Sequence, residues 1–250
     1  MIASDIRILA RLLLGQPRRG SHAERLQAFY APQARDYDRF RERLLHGREA
    51  LLRLMDPPAG ARILELGGGT GSNLALFGQR LAEFERVELV DLCPALLEQA
   101  RQRTRGMDNV HVIEADATSY RPETPPDFIL FSYSLTMIPD WRGAILNAIE
   151  ILRPGGTLGV VDFYVSDASG GPGTVRHDAL TRFFWPRWFG HDGVHPNPDH
   201  LRLLRQRLPN HQLLERRAPV PYLPGARAPY YLFLGRGDRA ESPETRSDPG

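Results

Sequence analysis

The sequence predicts an α/β fold: a Rossmann-like sheet of seven strands, with an N-terminal helical cap and an aromatic-rich insertion before the last two strands. Two observations carry this prediction. Short apolar runs alternate with helix-length segments between residues 61 and 165, which is typical of a parallel, doubly wound sheet. The first apolar run also ends directly in a glycine cluster, Gly67 to Gly71, after which a helix is predicted.

Apolar runs of strand length define seven predicted strands, which cover residues 61–66, 87–92, 110–115, 128–133, 157–165, 212–220 and 230–235. The predicted helices cover residues 72–81, 94–103, 141–152 and 201–208. Ser21 and Glu24 have the spacing of a capping box, which predicts the start of a further helix. Five segments follow from this: a helical cap (1–55), a ligand-binding core (56–165), a substrate-side insertion (166–200), a closing helix and hairpin (201–237), and a disordered tail (238–250).

The composition excludes several classes of function. All 32 basic residues are arginine, so a lysine Schiff base and a P-loop lysine are both excluded. The formal net charge of +2 gives no general attraction for nucleic acid, and no nucleic-acid partner is predicted. The single cysteine, Cys93, cannot form an intrachain disulfide, which favours a reducing, cytoplasmic location. No apolar stretch approaches the ~20 residues of a transmembrane helix.

The N-terminal segment is predicted to be amphipathic. Residues 2–14 place isoleucine and leucine side chains on one helical face and arginines off it. Such a helix can dock on the domain, or it can lie in a membrane interface. Residues 1–53 carry eleven arginines and six acids, which fits either a solvated face or attraction to anionic headgroups. A peripheral position on the inner face of the membrane is therefore an alternative to a purely cytoplasmic one.

The end of the first strand has the pattern acid-x-G-x-G-x-G, formed by Glu65, Gly67, Gly69 and Gly71. The dinucleotide fingerprint G-x-G-x-x-G would need its third small residue at position 72, where this chain has Ser72. An acid at this turn suits a cationic ligand better than a pyrophosphate. S-adenosylmethionine, which carries an ammonium and a sulfonium, is such a ligand and is the predicted cofactor.

Two further acids follow the next two strands. Asp91 ends the second strand, where a carboxylate can accept both ribose hydroxyls of an adenosyl group. Asp116 follows the third strand and can accept the adenine amine. Leu92 and Ala117 lie beside these acids as further candidate cofactor contacts. Because the carboxyl ends of parallel strands meet at one edge of a sheet, the acids are expected to line one crevice.

With these residues the chain resembles the class I S-adenosylmethionine-dependent methyltransferases, from about residue 30 to residue 236. The resemblance implies that the glycine loop faces the methionine moiety of the cofactor. It also implies that the acid after the second strand binds the ribose and that the acid after the third strand faces the adenine. A closing hairpin formed by the last two strands is implied as well.

A finer resemblance concerns the methyl acceptor. It rests on the stretches 21–48, 131–141, 161–165, 176–186 and 218–225, which are similar to the N-methyltransferase of betaine-lipid synthesis. This implies that the substrate is diacylglyceryl-homoserine, which is trimethylated to diacylglyceryl-trimethylhomoserine. Two alternatives stay open: another acceptor, such as phosphatidylethanolamine or a quinone precursor, and a protein that binds the cofactor without turnover.

An enzyme for such a lipid must hold an increasingly methylated ammonium, which aromatic faces attract. The aromatic candidates are Tyr30, Tyr37, Tyr133, Phe163 and Tyr164. The candidate proton acceptors are His46 and His177, although a structural role also fits either histidine. Arg48 could pair with the carboxylate of the methionine moiety or with that of the homoserine head. The methionine carboxylate is favoured, since Arg48 shares with Tyr37 a helical region that would cap the cofactor. Ser132, at the end of the fourth strand, completes the predicted cofactor set.

The segment 182–189 combines five aromatic residues with two arginines. It fits either a small packed subdomain or a lipid-facing lid with tryptophan at the membrane interface. His191, His195 and His200 follow it, but their spacing matches no metal-ligand pattern, so no metal is predicted.

Overall fold

The structure is a computed structural model of the 250-residue chain, and it describes residues 19–31, 43–170, 173–190, 193–221, 223 and 225–237. These residues form a seven-stranded sheet flanked by helices, which confirms the predicted fold class. The predicted helix over residues 2–14, the candidate Tyr37 and the predicted tail 238–250 lie outside the described residues.

The sheet has the strand order β3-β2-β1-β4-β5-β7-β6. Its strands are β1 (Arg62–Leu66), β2 (Arg86–Asp91), β3 (Val110–Glu114), β4 (Phe128–Ser132), β5 (Thr157–Phe163), β6 (His211–Pro219) and β7 (Arg227–Arg236). Strands β1 to β5 are parallel, and β7 lies antiparallel between β5 and β6. The chain leaves β1 first towards β2 and β3 and later returns to β4 on its other side. This reversal opens a crevice at the carboxyl ends of the strands, where α/β sheets bind ligands.

Helices cover both faces of the sheet. They are α1 (His22–Tyr30), α2 (Arg48–Met55), α3 (Pro94–Arg103), α4 (Trp141–Ile151), α5 (Ala179–Gly190) and α6 (Pro198–Arg207), together with a 3-10 helix, Leu74–Glu83, after β1. One core cluster joins the sheet to α2, the 3-10 helix and α3, and a second joins it to α4 and α6. Because both faces are buried, the inner strands are mostly apolar. None of the described helices has the length and hydropathy needed to cross a bilayer.

Three elements differ from the sequence prediction. The α-helix predicted over 72–81 is a 3-10 helix that begins at Leu74, and Gly78 interrupts it with a φ of 58°. The insertion, for which no helix was predicted, contains α5, whose Trp185 and Phe189 are buried. Helix α2, predicted within the N-terminal cap, packs directly on β5 and β7. The predicted limits of the five segments stay predictions.

Helix α1 begins with the predicted capping box, which the structure confirms. The Ser21 hydroxyl accepts from the Glu24 amide, and the Glu24 carboxylate accepts from the Ser21 amide. Further along α1, the Gln27 side chain accepts from the Ala95 amide at the start of α3. Leu26 and Phe29 of α1 pack in one apolar cluster with Leu96 of α3. These contacts hold α1 over the carboxyl end of β2.

Candidate active site

A cavity of about 430 Å³ lies at the carboxyl ends of β1 to β4, with α1 as its outer wall. This volume falls in the range of small-molecule sites. Five pieces of chain line it: the glycine loop after β1, the ends of β2 and β3, the loop after β4, and α1. The predicted site residues among the lining are Tyr30, Gly67, Gly69, Asp91, Leu92, Asp116, Ala117 and Tyr133.

The glycine loop approaches the cavity closely because two of its residues adopt left-handed conformations. Gly67 has a φ of 72° and Gly69 a φ of 56°, both favourable only for glycine. A Cβ on Gly67 would lie 2.5 Å from the Ser134 Cβ, so this position has no room for a side chain. A Cβ on Gly69 would make ordinary van der Waals contacts, 3.7 Å from Leu96 Cδ1 and 4.0 Å from Asp91 Oδ2. Without a side chain, Gly69 leaves its backbone at the cavity wall, where a ligand can approach it.

Gly71 is placed differently from Gly67 and Gly69. It also has a positive φ, 69°, but it does not line the cavity. A Cβ there would lie 3.1 Å from Leu89 Cδ1 and 3.5 Å from the Ala100 Cβ. Gly71 therefore lets the loop pack between β2 and α3, and its contact with the cofactor stays a prediction.

The Asp91 carboxylate is held in place by backbone amides. Its Oδ2 accepts from the Gly69 amide and its Oδ1 accepts from the Cys93 amide, each at 2.9 Å. One hydrogen bond fixes the carboxylate to the glycine loop and the other to the start of α3. Since each carboxylate oxygen can accept more than one donor, Asp91 can still take a pair of hydroxyl groups from a ligand.

Asp116 is oriented in the same way at the end of β3. Its Oδ1 accepts from the Thr118 amide and hydroxyl, both at 2.8 Å, so the side chain is fixed at the cavity wall. His22, a lining residue that the sequence analysis missed, faces it from α1. Burial and nearby Arg25 lower the pKa of His22, and the Asp116 charge opposes them. The imidazole is therefore neutral at pH 7.

Glu65 and Arg48 lie behind the glycine loop and are not among the described residues that line the cavity, so their contact with the cofactor stays a prediction. Asn73 Nδ2 donates to Glu65 Oε1, and Arg48 Nη1 donates to Asn73 Oδ1 and to the Ser72 hydroxyl. Burial raises the pKa of Glu65 to about 7, against the opposing effect of Asn73 and Arg48. This network supports the loop from below.

Tyr133 forms the wall of the cavity at the end of β4. Its φ of 54° is left-handed, which is rare for a residue with a bulky side chain. Its hydroxyl donates to the His46 carbonyl at 2.6 Å, and its ring centroid lies 4.6 Å from that of Phe163. Backbone and ring are thus both fixed. On the α1 side, the Tyr30 hydroxyl donates to Met137 Sδ at 3.2 Å.

A buried carboxylate that the sequence analysis did not single out holds the loop after β4. Asp162 is fully buried, and it accepts from the Thr136 hydroxyl at 2.8 Å and from the Thr136 amide at 3.1 Å. The available signal was an acid inside the apolar run 160–165, because a buried charge needs partners.

The remaining candidates are placed away from the cavity. His46 contributes its carbonyl to Tyr133, while its ring faces the Pro219 carbonyl. His177 is buried against Tyr164 and accepts from the Ser166 amide, and burial lowers its pKa to about 4. Ser132 directly precedes Tyr133 in the sequence; its side chain is buried, and it is not among the described residues that line the cavity. None of these four residues is among the described residues that line the cavity, and the roles predicted for His46, His177, Tyr164 and Ser132 stay predictions.

The strand order, the glycine turn and the strand-end carboxylates around one cleft together define a Rossmann-like methyltransferase. A family model for a methyltransferase domain matches residues 37–215. The chain therefore belongs to the methyltransferase-domain family and is an S-adenosylmethionine-dependent methyltransferase, as predicted.

Relatives and solved structures agree with this class. The chain is 28% identical over 165 residues to the ubiquinone/menaquinone biosynthesis C-methyltransferase UbiE of Enterobacter sp. strain 638, which covers 59% of this chain and 65% of that protein. It thus spans less than two thirds of that relative's length. The YcgJ protein of Bacillus subtilis matches with a TM-score of 0.63 and 15% identity, over 78% of this chain and 99% of that one. The N-methyltransferase NodS of Bradyrhizobium japonicum, solved with S-adenosyl-L-homocysteine, matches with a TM-score of 0.56 and 22% identity, over 76% and 85%.

The cavity fits the methyl donor of this class. Its charged side chains are the carboxylates of Asp91, Asp116 and Asp140, and none of the described lining residues is an arginine, in a chain with 32 of them. Such a site favours a ligand with positive charge. The backbone of Gly69, which lines the cavity beside the fixed carboxylate of Asp91, offers a cradle for the donor.

Proposed function

We propose that the protein transfers methyl groups from S-adenosylmethionine to the amino group of diacylglyceryl-homoserine and produces the betaine lipid diacylglyceryl-trimethylhomoserine. The observation that carries the proposal is the character of the cavity, in which aspartates and fixed tyrosine rings surround the space and no described arginine enters it. A cavity of this kind suits both a sulfonium donor and a quaternary ammonium product.

Three pieces of chain would hold the donor. Asp91 would accept the ribose hydroxyls, Asp116 the adenine amine, and the backbone of Gly67 and Gly69 would lie along the methionine portion. The donor supplies an electrophilic methyl group on a positively charged sulfur. Because Asp91 and Asp116 are already fixed by backbone amides, little side-chain freedom is lost when the adenosyl group binds.

The acceptor half of the cavity is aromatic. Tyr133 from β4 and Tyr30 from α1 both line it, and Phe163 supports the Tyr133 ring from behind. An aromatic face attracts an ammonium by ~0.5–2 kcal/mol, and this attraction persists after methylation removes the N–H donors. The hydrogen bond from Tyr133 to the His46 carbonyl keeps that face in position. The residues of the chain thus orient the amine and exclude water, which supplies most of the rate of an in-line transfer.

The proton of the acceptor amine leaves without a histidine base in this proposal. His46 and His177 lie away from the cavity, and His22 lies at the end where Asp116 would bind adenine. The amine therefore loses its proton to water before each transfer. The rate should rise with pH until the amine is deprotonated.

A second candidate acceptor is a quinone precursor. The similarity to the UbiE C-methyltransferase favours it, and a flat ring could stack on Tyr133 as well as an ammonium can. The two candidates differ in the atom that is methylated, a nitrogen or a ring carbon.

Mass spectrometry of the lipid product distinguishes these candidates. Purified protein and S-adenosylmethionine are incubated in detergent mixed micelles with diacylglyceryl-homoserine, phosphatidylethanolamine or a demethylated quinone. The proposal predicts three successive methyl additions to diacylglyceryl-homoserine. Methylation of another acceptor with none of this lipid contradicts it, and donor binding without any product would indicate a non-catalytic protein.

A further inference from the structure

Helix α5 carries apolar side chains on both of its faces. Its inner face packs on the end of β5, where the Phe189 ring stacks on Phe163 with centroids 4.4 Å apart. Its outer face leaves large apolar side chains in solvent, which we call the interfacial patch: Leu180 (75% exposed), Phe183 (59%), Trp188 (38%) and Phe184 (36%). Positions 180, 183/184 and 188 follow the helical repeat and form one stripe. An exposed apolar stripe of this kind marks an interaction surface.

We propose that the interfacial patch docks the protein on the surface of a bilayer that contains anionic lipids. This goes beyond the proposed function, because it concerns how the whole protein meets a membrane and holds for any acceptor that resides there. The aromatic and aliphatic side chains would enter the headgroup region, where tryptophan is preferred.

The charges around the patch match an anionic lipid surface. Residues 173–190 contain three arginines and one acid, Asp178. Asp178 lies 3.8 Å from Arg217, which offsets its charge. Arg176 and Arg187 are exposed, and the Arg187 guanidinium lies 3.8 Å from the Phe183 ring centroid. An arginine on an aromatic ring at a membrane surface can reach headgroup phosphates while its stem stays on the apolar stripe.

The size of the patch favours a bilayer over a second copy of the chain. Aromatic side chains offer about 150–250 Å² each, so the four exposed fractions amount to roughly 400 Å² of apolar surface. A stable protein complex needs about 800 Å² on each partner. A single helix face of this size that exposes aromatic side chains beside arginines can instead enter the headgroup region of a bilayer.

The patch lies on the same end of the sheet as the cavity. Phe163 contacts Phe189 of α5 on one side and Tyr133, a cavity wall residue, on the other. The main-chain carbonyl of Thr136, in the loop after β4, also accepts from the His195 amide beyond α5. A bilayer on the outer face of α5 would therefore be separated from Tyr133 by the helix itself, ~10 Å across, and by the Phe163 ring.

Quenching of tryptophan fluorescence by brominated lipids tests this docking at α5 itself. The chain has three tryptophans, of which Trp185 is buried and Trp188 lies in the patch. The full-length protein is mixed with vesicles of phosphatidylcholine alone or with phosphatidylglycerol, in brominated and unbrominated forms. We expect quenching with the anionic vesicles, which Trp188→Phe abolishes because it removes the probe and keeps the apolar surface.

A second pair of variants tests the surface itself. Phe183→Ser should reduce Trp188 quenching at a given lipid concentration by about tenfold. Met107→Ser, a matched change of an exposed apolar residue beyond α3, should leave the quenching unchanged.

Wild-type quenching that is absent or that persists in Trp188→Phe would overturn the proposal. A lipid-free dimer that Phe183→Ser dissociates would also overturn it, in favour of a second copy. If quenching fails while micellar diacylglyceryl-homoserine is still methylated, the docking surface is wrong and the proposed function stands.

Discussion

At Tyr133, an unfavourable backbone conformation is combined with a fixed side chain. A non-glycine residue with a φ of 54° costs of order 1–2 kcal/mol, and here the Val161 carbonyl and the His46 carbonyl hold it in place through two hydrogen bonds. Strain of this kind is often found where a side chain must point into a site. Tyr133 lines the cavity, which agrees with that expectation.

The role of the Tyr133 ring can be separated from its volume by Tyr133→Leu. Leucine keeps an apolar side chain but has no π face, so attraction for the methylated ammonium is lost. We expect mono- and dimethylated lipid to accumulate and the trimethylated fraction to fall about threefold or more. Tyr133→Phe keeps the face and loses one hydrogen bond, so it should retain most of the trimethylated product. Equal product distributions for the two variants would remove the ring from the acceptor site.

Glu65 makes stability depend on pH. Its pKa is about 7 in the folded protein, against 4.5 as the ordinary value. Between these values the unfolded chain releases the proton and the folded protein keeps it, so stability falls as pH rises from about 4.5 to 7. We expect Glu65→Gln to remove a loss of about 3 kcal/mol across that window, measured by urea unfolding. A wild-type slope no different from that of Glu65→Gln would show that the carboxyl titrates normally.

Among the elements, the glycine loop combines two requirements that sequence alone does not separate. Gly69 and Gly71 share the left-handed conformation, but the first faces the cavity and the second faces Leu89 and Ala100. The alternating glycines predict the turn, because the conformation is local. Which glycine faces a ligand depends on the packing of α3 on β2, which is not local.

Gly69→Ala and Gly71→Ala are therefore a matched pair. Both introduce a side chain at a positive φ and should lower the free energy of unfolding by about 1–2 kcal/mol. Gly69→Ala should in addition weaken binding of S-adenosyl-L-homocysteine about tenfold, while Gly71→Ala should change it less than threefold. Calorimetric titration measures both. An equal loss of affinity in the two variants would contradict the assignment.

The distinction between local sequence signals and non-local packing also explains which elements the sequence predicts. Strands β1 to β5 lie within two residues of their predicted limits, since continuous apolar runs between turns define them. The helix predicted over 72–81 is present as an interrupted 3-10 helix, and α5 has no counterpart in the prediction. In the first, Gly78 breaks a helical pattern at one residue. In the second, the apolar residues surround the helix axis and leave no amphipathic period to detect.

The site residues follow the same rule. The placement of Asp91 and Asp116 at the cavity was predictable, because the end of a strand fixes where the side chain there emerges. The placement of Arg48, Glu65 and His177 was not predictable, since contacts between distant segments decide whether a polar group faces a cavity or a buried network. Arg48 donates to Asn73 Oδ1 behind the loop, and His177 Nδ1 accepts from the Ser166 amide.

On the scale of the whole molecule, charge and apolar surface are distributed unevenly. The arginines of the described residues do not line the cavity, and carboxylates at strand ends give it a negative field. The exposed apolar surface is concentrated on α5, beside the loop after β4. This arrangement suits an enzyme that binds a cationic donor inside and meets its acceptor at a surface.

The central claim is that the strand-end carboxylates hold the adenosyl donor in this cavity. Its most direct test is calorimetric titration of S-adenosyl-L-homocysteine into Asp91→Ala, with Glu114→Ala as control, because Glu114 is an exposed acid at the end of β3 outside the cavity lining. Loss of charge-assisted hydrogen bonds should raise the Kd of Asp91→Ala about 10- to 100-fold and leave that of Glu114→Ala within twofold of wild type. An Asp91→Ala protein that is folded and binds with wild-type affinity would contradict the account.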